Sequence, residues 1–319
     1  MQNPKWPFFL DLKKPLGNGI RSLRIIDPNL PDLAGLLTGE KPVLYTDYSP
    51  QDWNYIKDLC EKLKLKYLHP EELYRKTGFH ADGGNSGRKM LLIGKEPRKL
   101  SLAAKCWNDS ATNIEWGVLL GYPECCVKAY VKWRMELSRE HELINLTFDN
   151  SPRKGPYYFG LNNVFNLFSR ISAGETGKSG RLSDLNKEKN IFISALHIAS
   201  WHPCSYACPR SLKKAVKVYD FLRTYAPGYA GMLKALLARP VLFFGKFEFA
   251  VFNGQVKDGL LSYRGLEAPV SLLKTGLSEK LRRGDAARVN AGSLVIKKGK
   301  GRETVVPFKK PPILLNFSA

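Results

Sequence analysis

Apolar positions recur at two different spacings along this chain, and the switches between them mark out its elements. Residues 42–46, PVLYT, and 89–95, KMLLIGK, are short apolar runs that predict β-strands. SPQDWNYIKDLCEKLKLK, from Ser49, and EPRKLSLAAKCWN, from Glu96, repeat their apolar residues at helical spacing. Ser49 suits a helix N-cap and Pro50 the first helical position. These stretches predict a small alternating α/β unit over residues 1–110. Residues 111–240 read as mainly helical and hold four of the six cysteines. From residue 241, VLFFGKFEFAVFNGQVKDGLLSYRG alternates apolar and polar residues around Asn253-Gly254-Gln255, a turn signal between strands. GSLVIKKGKGRETVVPF repeats that alternation around its Lys-Gly-Lys-Gly. The expectation is an α+β chain in three parts: the α/β unit, a central helical cysteine-rich region, and a basic antiparallel β region over 241–319.

Two further stretches, GFHADGGNSGRK at 78–89 and SAGETGKSGRLSDLNKEKN at 172–190, read as exposed loops. The first matches neither the phosphate-cradling nor the dinucleotide fingerprint. With 44% hydrophobic and 25% charged residues, the composition is that of a globular protein rather than a disordered one.

Charge changes the picture more. The chain carries 50 Lys and Arg against 29 Asp and Glu, a formal net charge of +21, which favours anionic partners. An anionic substrate or nucleic acid, RNA ahead of DNA, is the expected partner. Lys297, Lys298, Lys300 and Arg302 concentrate positive charge near the C-terminus. A second candidate lies in SPRKGPYYFG, where Arg153 and Lys154 stand beside Tyr157 and Tyr158, cations next to rings that suit an unpaired base. The first 19 residues lack the apolar core of a secretory signal, and no run of roughly 18 apolar residues exists anywhere. The expectation is a cytoplasmic protein with no membrane segment. Thiols stay reduced there, so clustered cysteines more often bind metal or do chemistry than form disulfides.

Two segments carry such cysteines. In GYPECCVKAYVKW, Pro123 suits the first helical position, and Cys125 and Cys126 then fall in the first helical turn. In WHPCSYACPRSLKKAVKVYDFL, Cys204 and Cys208 precede Pro209, which starts a helix carrying Leu212, Val216, Tyr219 and Leu222. Both pairs therefore sit at helix N-termini, where the dipole stabilises thiolates. Four thiolates can hold an iron–sulphur cluster or zinc. Cys204 and Cys208 have a spacing within the zinc range, whereas the adjacent pair does not, and neighbours on a helix diverge by about 100°. Cys126, Cys204 and Cys208 are thus favoured over Cys125 as ligands. A bond between adjacent cysteines would be strained, but one between Cys204 and Cys208 is within reach of a tight turn. His202, two residues before Cys204, is the candidate ligand or proton carrier, and hence the candidate catalytic residue. His197, Cys60 and Cys106 read as core residues.

LGYPECCVKAY followed downstream by HPCSYACPRS resembles a family of prokaryotic proteins of unknown function that share a Gly-Tyr-Pro-x-Cys-Cys segment and a His/Pro-Cys-Ser-x-x-Cys segment. The resemblance covers about the middle third of the chain and implies that the two segments form one site. This chain departs from the pattern in having no residue between His202 and Pro203.

Three functions remain open from sequence. The leading one is a metalloprotein, iron–sulphur in preference to zinc, with an open or labile site acting on an anionic substrate. The others are a zinc-stabilised nucleic-acid-binding module without catalysis and a thiol redox enzyme.

Overall fold

A computed structural model describes residues 30–48, 50–70, 89–107, 113–136, 142–153, 155–165, 197–245, 248–268, 270–273, 275–299 and 301–318. The N-terminal stretch and the two glycine-rich loops discussed above lie outside the described residues, apart from Lys89. The fold is α+β with a C-terminal β part, and the chain divides into two compact units. One comprises Met1–Glu136, Ile198–Cys204 and Pro209–Gly231, the other Leu137–His197, Ser205–Cys208 and Met232–Ala319.

In the first unit the expected α/β elements form around a three-stranded antiparallel sheet of order β1-β3-β2, with β1 at Val43–Tyr48, β2 at Lys66–Leu68 and β3 at Lys89–Gly94. The all-buried helix α1 (Leu30–Leu37) precedes β1, and α2 (Trp53–Lys62) follows it. The predicted helix continues to Lys66, but α2 stops at Lys62 and Lys64 takes a positive φ of 53°. From Lys62 the residues alternate Lys-Leu-Lys-Leu-Lys-Tyr-Leu, a period of two, and β3 offers an edge to pair with. Helices α3 (Pro97–Cys106) and α4 (Ile114–Leu119) pack a core of Leu100, Ala103, Trp116 and Leu119 on Val43 and Leu92. Next comes α5 (Glu124–Glu136), which approaches α4 so closely that a Cβ on Gly117 would lie 2.7 Å from Val127. Helix α7 (Pro209–Tyr225) begins at the expected proline and packs against α1. Its buried face is Ser211, Ala215, Val218 and Leu222. Leu212 and Val216, expected on the inner stripe, are exposed at 38% and 36%. The small members of that face, Ser211 and Ala215, lie toward the start of the helix, where Ser211 meets Cys126.

The second unit is built on a seven-stranded antiparallel sheet of order β10-β9-β8-β7-β6-β5-β11. Its strands are β5 (Val241–Gly245), β6 (Glu248–Lys257), β7 (Leu260–Glu267), β8 (Ala286–Asn290), β9 (Ser293–Lys298), β10 (Arg302–Pro307) and β11 (Ile313–Leu315). Phe252, Leu261, Tyr263, Leu294 and Ile296 fill its inner face. The hairpin turn is not at Asn253-Gly254-Gln255 as expected. Strand β6 runs straight through that tripeptide with an irregularity in register at Phe252/Gly254, and the chain turns at Asp258-Gly259, both with positive φ. The glycine signal at 254 serves close approach instead, since a Cβ there would stand 2.1 Å from the Ser262 carbonyl oxygen. The Lys-Gly-Lys-Gly turn lies between β9 and β10, as expected. Helix α6 (Glu142–Asp149) and strand β4 (Tyr157–Tyr158), which pairs in parallel with β12 (Phe317–Ser318), complete the unit.

Candidate metal centre

Each cysteine segment is shaped by local rules before any ligand is considered. The turn from α4 to α5 passes through Gly121, whose φ of +80° and whose position against the Glu40 carbonyl exclude a side chain; a Cβ would come within 2.4 Å. The Pro123 carbonyl then accepts the Cys126 and Val127 amides at 2.8 and 3.0 Å, which places Cys125 and Cys126 in the opening turn of α5. In the second segment the Ser205 carbonyl accepts the Cys208 amide at 3.0 Å, and Pro209 starts α7 directly after.

The result is that the Sγ atoms of Cys125, Cys126, Cys204 and Cys208 all lie within 4.8 Å of one another. None of the six cysteines is in a disulfide, so the bond between Cys204 and Cys208 is not formed. Cys126 and Cys208 are buried, while Cys125 and Cys204 are partly exposed. The group can hold a metal ion. Cys126 has hydrogen-bond partners in the second segment. Its Sγ accepts the Cys204 amide at 3.3 Å and shares a hydrogen with Ser211 Oγ at 3.1 Å. Trp201 Nε1 in turn donates to Ser211 Oγ at 2.9 Å, so with a thiolate at Cys126 the serine hydroxyl points its proton at sulphur.

Sequence reasoning missed the supports of these loops. Lys41 is buried and its Nζ reaches Asp32 at 2.8 Å and Ser200 Oγ at 2.9 Å, while lying 4.7 Å from the ring centre of Tyr122. It thereby ties α1 to both cysteine segments. Its neighbour Glu40 binds Lys214 and Lys217 of α7, and those contacts, above all the hydrogen bond from Lys217, hold its carboxyl below the usual range against the opposing effect of burial. Ser211 was legible only as a small residue in the first turn of a helix. Nothing in the sequence connects Lys41 to residues 80 to 160 positions away.

His202 is buried and its ring stacks on Tyr130 at 5.6 Å with an interplanar angle of 7°; it is not one of the grouped ligands. His197 is buried. Cys60 and Cys106 are core residues, as expected; burial, with a smaller contribution from Glu61, pushes the Cys60 thiol up to about 11. Arg153 and Tyr157 line a cleft of about 1,090 Å³ in the second unit, together with Lys257 and Lys310. Tyr157 is largely buried there, packed on Tyr206 and Phe317, so most of its ring is core. Tyr158 packs on Phe159. Lys297 pairs with Glu303 on the neighbouring strand and Lys298 is exposed at the end of β9. Lys154, Lys300 and the side chain of Arg302 lie outside the described residues.

Both cysteine segments fall within one region of similarity to a family. Residues 108–227 match the family "Protein of unknown function (DUF483)". The match takes in somewhat more than a third of the chain and includes all four grouped cysteines. No curated protein and no solved structure matches the chain. Among the described residues no helix is long and apolar enough to cross a membrane.

Proposed function

We propose that this is a zinc protein in which Cys125, Cys126, Cys204 and Cys208 hold one metal ion that fastens the N-termini of α5 and α7. The observation that carries the reading is the 4.8 Å limit on all four sulphurs. Zinc–thiolate bonds of about 2.3 Å in a tetrahedron put sulphurs about 3.8 Å apart, so the group needs only a small contraction. An iron–sulphur cluster interposes several metal and sulphide atoms between its thiolates and would force this group apart. Four thiolates on a divalent ion leave excess negative charge, which two helix N-termini and the donors on Cys126 are placed to offset. A closed four-thiolate site is the structural kind, and the ion supplies folding energy rather than a reaction. His202, stacked on Tyr130, then holds the loop before Cys204 rather than moving protons. Six reduced thiols suit a reducing compartment such as the cytoplasm.

Metal, iron and acid-labile sulphide assays on protein purified without oxygen test this. One zinc per chain is expected, with cobalt substitution giving the visible bands of a tetrahedral thiolate site. Iron accompanied by sulphide would overturn it in favour of the cluster.

A second reading, compatible with the first, is that the protein binds RNA. It rests on the cleft that Arg153, Lys257 and Lys310 line together with Asp149, the ion-pair partner of Arg153, and Asp258, with Phe148 beneath the Arg153 guanidinium at 5.8 Å. Binding should weaken steeply with salt, and absence of binding at low salt would remove the reading.

A further inference from the structure

Well before the four grouped cysteines in the chain, the first unit gathers aromatic rings at one end of its small sheet. Strands β1 and β2 both run antiparallel to β3, so they point the same way and their carboxyl ends lie together. Tyr48 closes β1, opposite Lys89 in the register, His69 directly follows β2, and Trp53 opens α2. Trp53 is the hub: its ring centre is 5.4 Å from Tyr48, 4.9 Å from His69 and 5.0 Å from Tyr67. These rings border a recess of about 380 Å³ with Pro50 and Lys89. Tyr48 is buried, yet Trp53, Tyr67 and His69 keep part of their surface open.

Among the described residues these rings leave the recess open. The lining offers π-faces, one histidine and one ammonium group, and it contains no carboxylate among the described residues. Such a wall suits a ligand with a flat aromatic body and a negative charge. A quaternary ammonium would also sit well on rings, but Lys89 repels it. The volume lies near the lower end of the roughly 300–1,000 Å³ typical of small-molecule sites, the scale of one nucleotide. We infer that this recess binds a nucleotide, its base stacked on Trp53 and Tyr67 and its phosphate held by Lys89. The same chemistry is offered by a free nucleotide or by one nucleotide of a single-stranded RNA. The inference is independent of the metal centre.

Equilibrium dialysis of the full-length, metal-replete protein against AMP and adenosine tests it. AMP should bind saturably. Trp53→Leu should weaken AMP and adenosine alike by about tenfold, the scale of one lost base–aromatic stack. Lys89→Ala, at an exposed position, should weaken AMP and leave adenosine unchanged. A short oligoadenylate that displaces AMP assigns the recess to RNA, and one that fails to do so assigns it to free nucleotide. No saturable binding of AMP, GMP, CMP, UMP or the oligonucleotide at millimolar concentration would overturn the inference. So would equal sensitivity of AMP and adenosine to Lys89→Ala, or preferential binding of tetramethylammonium.

Discussion

The thiols of this chain divide by what surrounds each sulphur. Cys126 is buried but faces donors, the Cys204 amide and the Ser211 hydroxyl, which favour a thiolate ligand. Cys60 is buried among apolar groups, and its neutral form is favoured instead. Replacing Ser211 by alanine removes both the donor to Cys126 and the acceptor of Trp201 Nε1. Zinc affinity should fall by about 10- to 100-fold, the usual cost of losing such an outer partner, read by competition with a chromophoric chelator. Unchanged affinity would show that Ser211 merely fills space. Cys60 predicts an alkaline effect. Its folded value of about 11 stands above the ordinary 9.0, so between those pH values the unfolded chain releases a proton that the native protein keeps. Its contribution to stability is therefore complete below about pH 9 and is lost as pH rises toward 11. Denaturant midpoints at pH 8 and pH 10 should differ less in Cys60→Ala than in the parent protein.

Elements are held together here by a few polar ties threaded through close-packed backbone. Lys41 passes between Gly35 of α1 and Gly121 of the α4–α5 turn, where a Cβ on either would meet its stem within 3.0 Å. Its charge ends on Asp32, with exposures of 5% and 11% for the two side chains, so solvent gives neither ion much relief. Removing one partner of such a pair costs about 3–5 kcal/mol because the other charge is left buried, whereas replacing both by apolar residues is often neutral. Lys41→Met should accordingly destabilise the protein strongly, and Asp32→Leu added to it should restore much of the loss. A double variant no better than the single one would mean that the hydrogen bond to Ser200, rather than the ion pair, is the tie that matters. Metal retention should follow the same order, since Lys41 touches residues of both cysteine segments.

Over the whole molecule, net charge and the metal act in different ways. The +21 charge draws anions to the surface without specifying where they bind. A metal joining Cys125 and Cys126 to Cys204 and Cys208 links positions nearly 80 residues apart, and its binding free energy adds to folding. Stripping it with a strong chelator should lower the thermal midpoint by a margin that grows with the zinc concentration of the untreated sample, and zinc should restore it. A midpoint indifferent to chelator and to added zinc would show that the four thiols pack without a metal.

Much of this could be read from the residues alone. Pro123 and Pro209 locate two helix starts because proline lacks the amide that a helix interior requires, and the cysteines beside them inherit those positions. Strands β1 and β3 follow from short apolar runs, and the basic C-terminal sheet from period-two alternation, both local properties of the chain. What pattern could not supply were the effects of neighbours distant in sequence. Asn253-Gly254-Gln255 carries a turn signal, yet cross-strand pairing with β7 keeps it extended and moves the turn to Asp258-Gly259. Leu212 and Val216 look like an inner stripe, but packing turns Ser211, Ala215, Val218 and Leu222 inward instead. The ring cluster around Trp53 draws on three separate segments, and the tie from Lys41 spans most of the first unit. Sequence determined which side chains can bind metal and where their helices begin. Tertiary structure alone decided that the four sulphurs converge within the span of a single ion, because convergence is a distance, and distances between remote residues are set by packing.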